Sequence, residues 1–247
     1  MRIAVILLAT LACAQGQTAD DLLRRGDVLD GQNQNQEALV LFVEADTLRP
    51  DDAEILRRIA KQYDQLAVVA TSPSEKKSLT GQALHHAKHA VAADPENARA
   101  RLCLAIVYGR QAQFENPRRK VELSRLIKEE AEAAVALDPG QEYGWHILGR
   151  WNYELANFNP VLKTLAQTIY GKFPDATNEK AAEHFQKALA LNPRSVLHHI
   201  ELGRTLLALG RKTEARQALQ AGLDLPAANP DDQEAQRRGR QALKKLR

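Results

Sequence analysis

Trp145-His146-Ile147-Leu148-Gly149 and Ala181-Ala182-Glu183-His184-Phe185-Gln186-Lys187-Ala188-Leu189-Ala190-Leu191-Asn192-Pro193 decide how this chain folds. The first puts a glycine on the apolar side of a helix. The second is a helix with small residues at Ala181 and Ala188, Phe185 between them, and a proline as its stop. The same ending recurs at Leu48-Arg49-Pro50, Ala93-Asp94-Pro95 and Leu137-Asp138-Pro139, with a shorter echo at Leu225-Pro226, so the prolines stand 45, 44, 54 and 33 residues apart. Each interval reads as a pair of helices. A small residue late in the first helix (Gly26, Ala60, Ala105, Gly149, Gly203) lets the second approach. A matching small set in the second (Ala38, Ala83, Ala181, Ala215) receives it, and larger side chains fill the gap. The proline ends the second helix because it cannot extend the hydrogen-bond ladder.

A unit of about 34 residues with insertions of about 11, 10 and 20 resembles the tetratricopeptide repeat. Trp145, Leu148 and Gly149 match its first helix, and Ala181, Phe185, Ala188 and Pro193 its second. The expectation is an all-α, tetratricopeptide-like solenoid over residues 19–247. It would hold about five hairpins and about twelve helices, some elongated or inserted, and end in a capping helix over 230–246. Ser72-Pro73-Ser74-Glu75, Asn116-Pro117 and Asn229-Pro230-Asp231-Asp232 each supply an N-cap with proline at the first helical position, and so start long helices. Composition agrees: the 247 residues include 13 glycines and 10 prolines, and aromatic residues make up only 5%, which disfavours a sandwich or barrel. Charged residues reach 26% with both signs interleaved and a net charge of +3, so nucleic-acid binding is not implied. Mean hydropathy is −0.42, unlike a polytopic membrane protein.

The N-terminus reads as a targeting signal. Arg2 precedes the apolar run Ile3 to Ala12, and Ala12-Cys13-Ala14 offers a small-x-small cleavage site. Residues 1–14 are then a signal peptide and 15–18 a linker, and the chain is expected to be exported, to the periplasm or envelope in a bacterium. Leu11-Ala12-Cys13 also resembles the end of a lipobox, with Thr10 where leucine is usual. Membrane attachment is expected only if Cys13 is lipidated.

From Ala83 onward the chain resembles the regulators of microtubule dynamics, a helical tetratricopeptide-like family. The resemblance is carried by Leu148-Gly149-Arg150-Trp151-Asn152-Tyr153-Glu154-Leu155-Ala156-Asn157, an inserted helix from Val161 to Tyr170, Gly171-Lys172-Phe173-Pro174-Asp175-Ala176-Thr177, and Asp224-Leu225-Pro226 before the charged terminal helix. It implies the fold and, for animal members, an association with microtubules, spindle poles and mitochondria. That association conflicts with an export signal.

No phosphate loop, nucleophile elbow or zinc-spaced set is present. The chain therefore reads as a non-enzymatic adaptor without cofactors, holding a protein or peptide, acidic if the arginines face it, in a concave, partly basic groove. The repeat phase puts Glu54, Arg57, Lys61, Asp64, Arg99, Tyr143, His146, Arg150, Tyr153 and Arg204 on or near that groove. The competing reading is that the arginines bridge neighbouring helices. His85 and His89 share a helical face beside His86 and are the best metal candidates, although no third ligand is specified; His198-His199 is weaker. Cys103 sits in an apolar stretch and reads as a buried thiol. Arg237, Arg238, Arg240, Lys244, Lys245 and Arg247 read as the solvated face of the capping helix.

Overall fold

The computed structural model describes residues 18–246. Among them are twelve helices and no strand: α1 (Ala19–Gly31), α2 (Asn35–Leu48), α3 (Ala53–Val69), α4 (Pro73–Ala93), α5 (Ala98–Ala112), α6 (Pro117–Leu137), α7 (Glu142–Ala156), α8 (Pro160–Tyr170), α9 (Asn178–Leu191), α10 (Val196–Ala208), α11 (Lys212–Asp224) and α12 (Pro230–Lys244). Five antiparallel hairpins form from α1/α2, α3/α4, α5/α6, α7/α9 and α10/α11, each packed on the next; α8 leans on α6, and α12 packs on α10 and α11. The first helices of successive hairpins touch directly, α3 with α5, α5 with α7 and α7 with α10, and make an inner layer.

The local causes are those of the sequence. Asn116, Asn159 and Asn229 each precede a proline at the helix start, and their side-chain oxygens accept from the amides of Arg119, Leu162 and Asp232 at 3.0, 2.9 and 2.9 Å. Four of the proline-terminated helices close alike: the amides of Arg49, Asp94, Asp138 and Asn192 donate to the carbonyls of Ala45, Ala90, Ala134 and Ala188. The insertions lengthen α4 and α6 to 21 residues each and add α8 as a separate helix. Replacing Asn116 by alanine is expected to cost about 1 kcal/mol in urea unfolding, with the fold retained.

Packing follows the small-to-large matching. Gly26 faces Phe42, Gly149 faces Phe185 and Gly203 faces Leu219, each pair joining the two helices of one hairpin. Phe42, Phe185 and Leu219 are fully buried, as are Ala38, Ala83, Ala181 and Ala215. The core is therefore a row of clusters, one at each hairpin and its junction with the next, as expected of a quasi-one-dimensional stack.

Candidate functional site

Helices α5, α6, α7 and α12, with Leu197 of α10, line a half-open cavity of about 730 Å³. One wall is apolar, from Ile106 on α5 and Ile147, Trp151 and Leu155 on α7, with Phe158 just beyond. Tyr143, Arg150 and Glu154 recur along one face of α7, Arg110 comes from α5, and Asp231, Glu234 and Arg238 stand at i, i+3 and i+7 on α12. A second cavity of about 540 Å³ adjoins it, between Asp30 and Asn33 at the first turn, Lys61 on α3, His198 on α10 and the segment 225–232. Tyr143 and Asp231 line both. Burial raises the Tyr143 phenol to about 12, and Asp231 adds to the effect, so the hydroxyl is a neutral hydrogen-bonding group at physiological pH.

The fold scatters the groove residues that the repeat phase brings forward. Tyr143, His146 and Arg150 line the larger cavity, and Lys61 the smaller. Arg57 donates to Glu54 at 2.9 Å, and Arg58 also reaches this carboxylate. Burial alone would raise Glu54, but Arg57, Asn97 and Arg58 outweigh it and hold the carboxyl at about 2. Lys61 pairs with Asp30 at 2.6 Å, and Asp64 receives a two-pronged contact from Arg110 at 2.9 and 3.1 Å. Arg204 donates to Glu201 at 2.6 Å and lies over the Tyr153 ring. Arg99 is exposed at the start of α5 and lines neither cavity. Arg150 is different: half its side chain is exposed and its guanidinium stands 3.6 Å from Glu154, a loose pair that leaves donors facing the cavity. Acids and bases alternate around the groove, so its charge is mixed.

Arg110, Trp151 and the carboxylates of α12 belong to the site although the repeat phase alone does not select them. The signal was present in the spacing of Asp231, Glu234 and Arg238, one face of a helix, but only the curvature of the stack shows that this face turns inward. Arg238 consequently departs from the expected solvated face: it donates to Glu201 on α10 at 3.0 Å. Elsewhere, His89 meets Asp51 at 2.8 Å and His86 stacks on Tyr63, and among the described residues no group of three or more His, Cys, Asp or Glu side chains is placed to hold a metal. Cys103 is buried, its Sγ 3.8 Å from the Arg57 carbonyl, and burial raises the thiol to about 12, far from a nucleophilic thiolate. No described helix is long and apolar enough to cross a membrane.

Stacked hairpins with a concave inner layer define a helical-repeat protein of the tetratricopeptide type, a class whose curved inner surfaces serve protein–protein interaction. Solved structures agree on the fold: a thermophilic tetratricopeptide-repeat protein of Thermus thermophilus aligns with a TM-score of 0.64 at 22% identity, covering 92% of this chain and 99% of that one. PilF of Pseudomonas aeruginosa aligns at 0.56 and 17% identity, covering 92% and 91%. Within that class the chain belongs to the family of regulators of microtubule dynamics, whose model, regulator of microtubule dynamics protein 1-3, matches residues 22–247. Regulator of microtubule dynamics protein 3 of Xenopus laevis is 29% identical over 217 residues, covering 87% of this chain and 47% of the frog protein. Protein 1 of Bos taurus is 28% identical over 235 residues, covering 94% and 74%. The chain thus spans about half of the frog relative and three quarters of the bovine one.

These relatives correct the expectation of an exported, periplasmic or lipid-anchored chain. They are vertebrate proteins named for microtubules, and nothing in the match points to secretion. The apolar run 3–12, the cleavage site and Cys13, on which export rested, lie outside the described residues.

Proposed function

We propose that this chain is a non-enzymatic binding module that takes part in regulating microtubule dynamics by holding a protein partner in the groove between α5, α7 and α12. The family supplies the process, and the tetratricopeptide-type fold supplies the mode of action. The observation that carries the site is the contrast among the groove cations. Arg57, Lys61, Arg110 and Arg204 are each held by a close carboxylate of this chain, whereas Arg150, beside an apolar wall, is loosely held at 3.6 Å. An acidic side chain of the partner would complete the Arg150 fork while its apolar neighbours pack on the partly exposed Ile106 and Phe158.

Co-sedimentation with assembled microtubules tests this reading. Arg150→Glu is expected to weaken binding about tenfold, which corresponds to about 1.4 kcal/mol, and Arg99→Glu, outside both cavities, is expected to leave it unchanged. Equal binding by wild type and Arg150→Glu would overturn the groove as the partner site.

A further inference from the structure

His146 on α7 and His198 on α10 sit 52 residues apart in sequence, and their Nδ1 atoms lie 3.0 Å apart. Both rings are buried, 1% and 2% exposed. This contact is the one side-chain hydrogen bond between α7 and α10 among the described residues. Tyr143 stacks on His146 with ring centres 5.1 Å apart, Phe185 meets it edge-on at 5.3 Å, and Tyr143 also lies 6.4 Å from His198. The Nε2 atoms of both rings are buried without a partner. His146 lines the larger cavity and His198 the smaller, so the pair stands where the two meet.

The chemistry of two such rings is restrictive. A hydrogen bond between two Nδ1 atoms needs one proton between them, so one ring carries its hydrogen on Nδ1 and the other on Nε2. One added proton goes to the bare Nε2 of the donor ring: the Nδ1 contact at 3.0 Å survives, but a buried cation results whose Nε2–H finds no acceptor, and a further proton, on the second ring, sets Nδ1 donor against Nδ1 donor. Among the charged and titratable groups around the pair, Asp231 on α12 lines both cavities, and Glu154 and Glu234 line the larger, but no carboxylate among the described residues pairs with either ring. From α7 come Tyr143 and Arg150, from α10 His199, and from α12 Arg238, while α9 contributes the uncharged Phe185. The nearby carboxylate of Glu201 is already taken by Arg204 and Arg238.

We propose that His146 and His198 form a proton-operated latch between α7 and α10, closed while both rings are neutral and released when the pair takes up a proton, which loosens the groove wall capped by Tyr143. Its consequence for partner binding rests on the groove being the partner site, whereas the latch itself is a property of the chain alone. Burial, with the neighbouring His199, lowers His198 to about 4, and burial with His198, Arg150 and Arg238 lowers His146 well below the ordinary value of 6.5. Once released, a ring regains its ordinary affinity. Between about pH 6.5 and 4 the open seam therefore binds a proton that the closed one lacks, so opening rises as pH falls, by up to about tenfold per pH unit for each ring. Above about pH 6.5 the latch is fully closed.

Amide hydrogen exchange of the isolated chain, corrected for intrinsic rates, reads this directly. Opening of α7 and α10 is expected to rise about tenfold per pH unit between about 6.5 and 4, with α1 to α4 little changed, and the apolar pair His146→Phe with His198→Leu is expected to flatten that slope. An unchanged slope in the double variant, or a rise spread evenly along the chain, would overturn the latch. Should the double variant not fold, imidazole nitrogen resonances of the wild type decide. One Nδ1–H and one Nε2–H ring, both neutral at about pH 5.5, support the latch, and either ring titrating near the ordinary value of about 6.5 overturns it. None of these readouts involves a partner, so a groove that fails to bind microtubules leaves the latch standing, and the reverse.

Discussion

Gly149→Leu is expected to lower stability by about 3 kcal/mol or more, a fall in Tm of about 6–12 °C for a chain of this size. Even a Cβ at Gly149 would lie 2.8 Å from Cδ1 and Cε1 of Phe185, a fully buried ring with nowhere to move. Gly203→Leu should behave alike, because its Cβ would meet Leu219 Cγ at 2.6 Å and the Leu219 backbone nitrogen at 3.0 Å, which cannot rotate away. Gly81 on α4 is the internal control. A Cβ there has nothing within 4 Å, so leucine should be neutral or, by helix propensity, stabilising by up to about 1 kcal/mol. The pairing itself is tested by Gly149→Leu combined with Phe185→Ala. The double variant should be at least about 1 kcal/mol more stable than the two single losses predict, since the new leucine fills space that the ring vacates. Strict additivity would mean that these residues do not meet.

The second large effect concerns the attachment of α12. Glu201 is a buried carboxylate, 2% exposed, held by Arg204 at 2.6 Å and Arg238 at 3.0 Å. Replacing both arginines by methionine leaves the carboxylate buried and unmatched, which is expected to cost about 3–5 kcal/mol in urea unfolding. Glu201→Gln should cost less, about 1–2 kcal/mol, because the two guanidinium groups are each about a quarter exposed and can turn to water. Of the two single arginine variants, Arg238→Met should raise proteolysis between α11 and α12, and Arg204→Met should not. Here Gln236 also matters: its amide donates to the Leu225 carbonyl at 2.8 Å and helps to fix the turn that aims α12 inward.

What the sequence alone reveals of this structure follows from the range of each interaction. The prolines at 50, 95, 139 and 193 act on their own helices, so the helix ends could be read directly. Gly149 and Phe185 belong to one hairpin, so their matching survives the insertion of α8 between them. Asn116, Asn159 and Asn229 cap amides three residues away. By contrast, the Arg238–Glu201 and His146–His198 contacts join different repeats, and they depend on how far each hairpin rotates against the last. No short pattern encodes that rotation. The groove cations were harder still: whether Lys61 faces a ligand or Asp30 is settled by a carboxylate on the preceding hairpin and by flexible side chains, not by helical phase. The N-terminal apolar run satisfies the composition of an export signal, but composition alone does not fix where a chain resides, and the expected export is overturned by the vertebrate relatives of residues 22–247.

The concave face formed by α7 and α12 is the proposed seat of the partner. Hydrogen exchange measured with and without assembled microtubules, the partner proposed above, tests it most directly. Slower exchange is expected only at residues 143–151 and 231–238, with α9 on the outer layer unaffected. Slowing on α9 and the other outer helices, with none along α7 and α12, would contradict it.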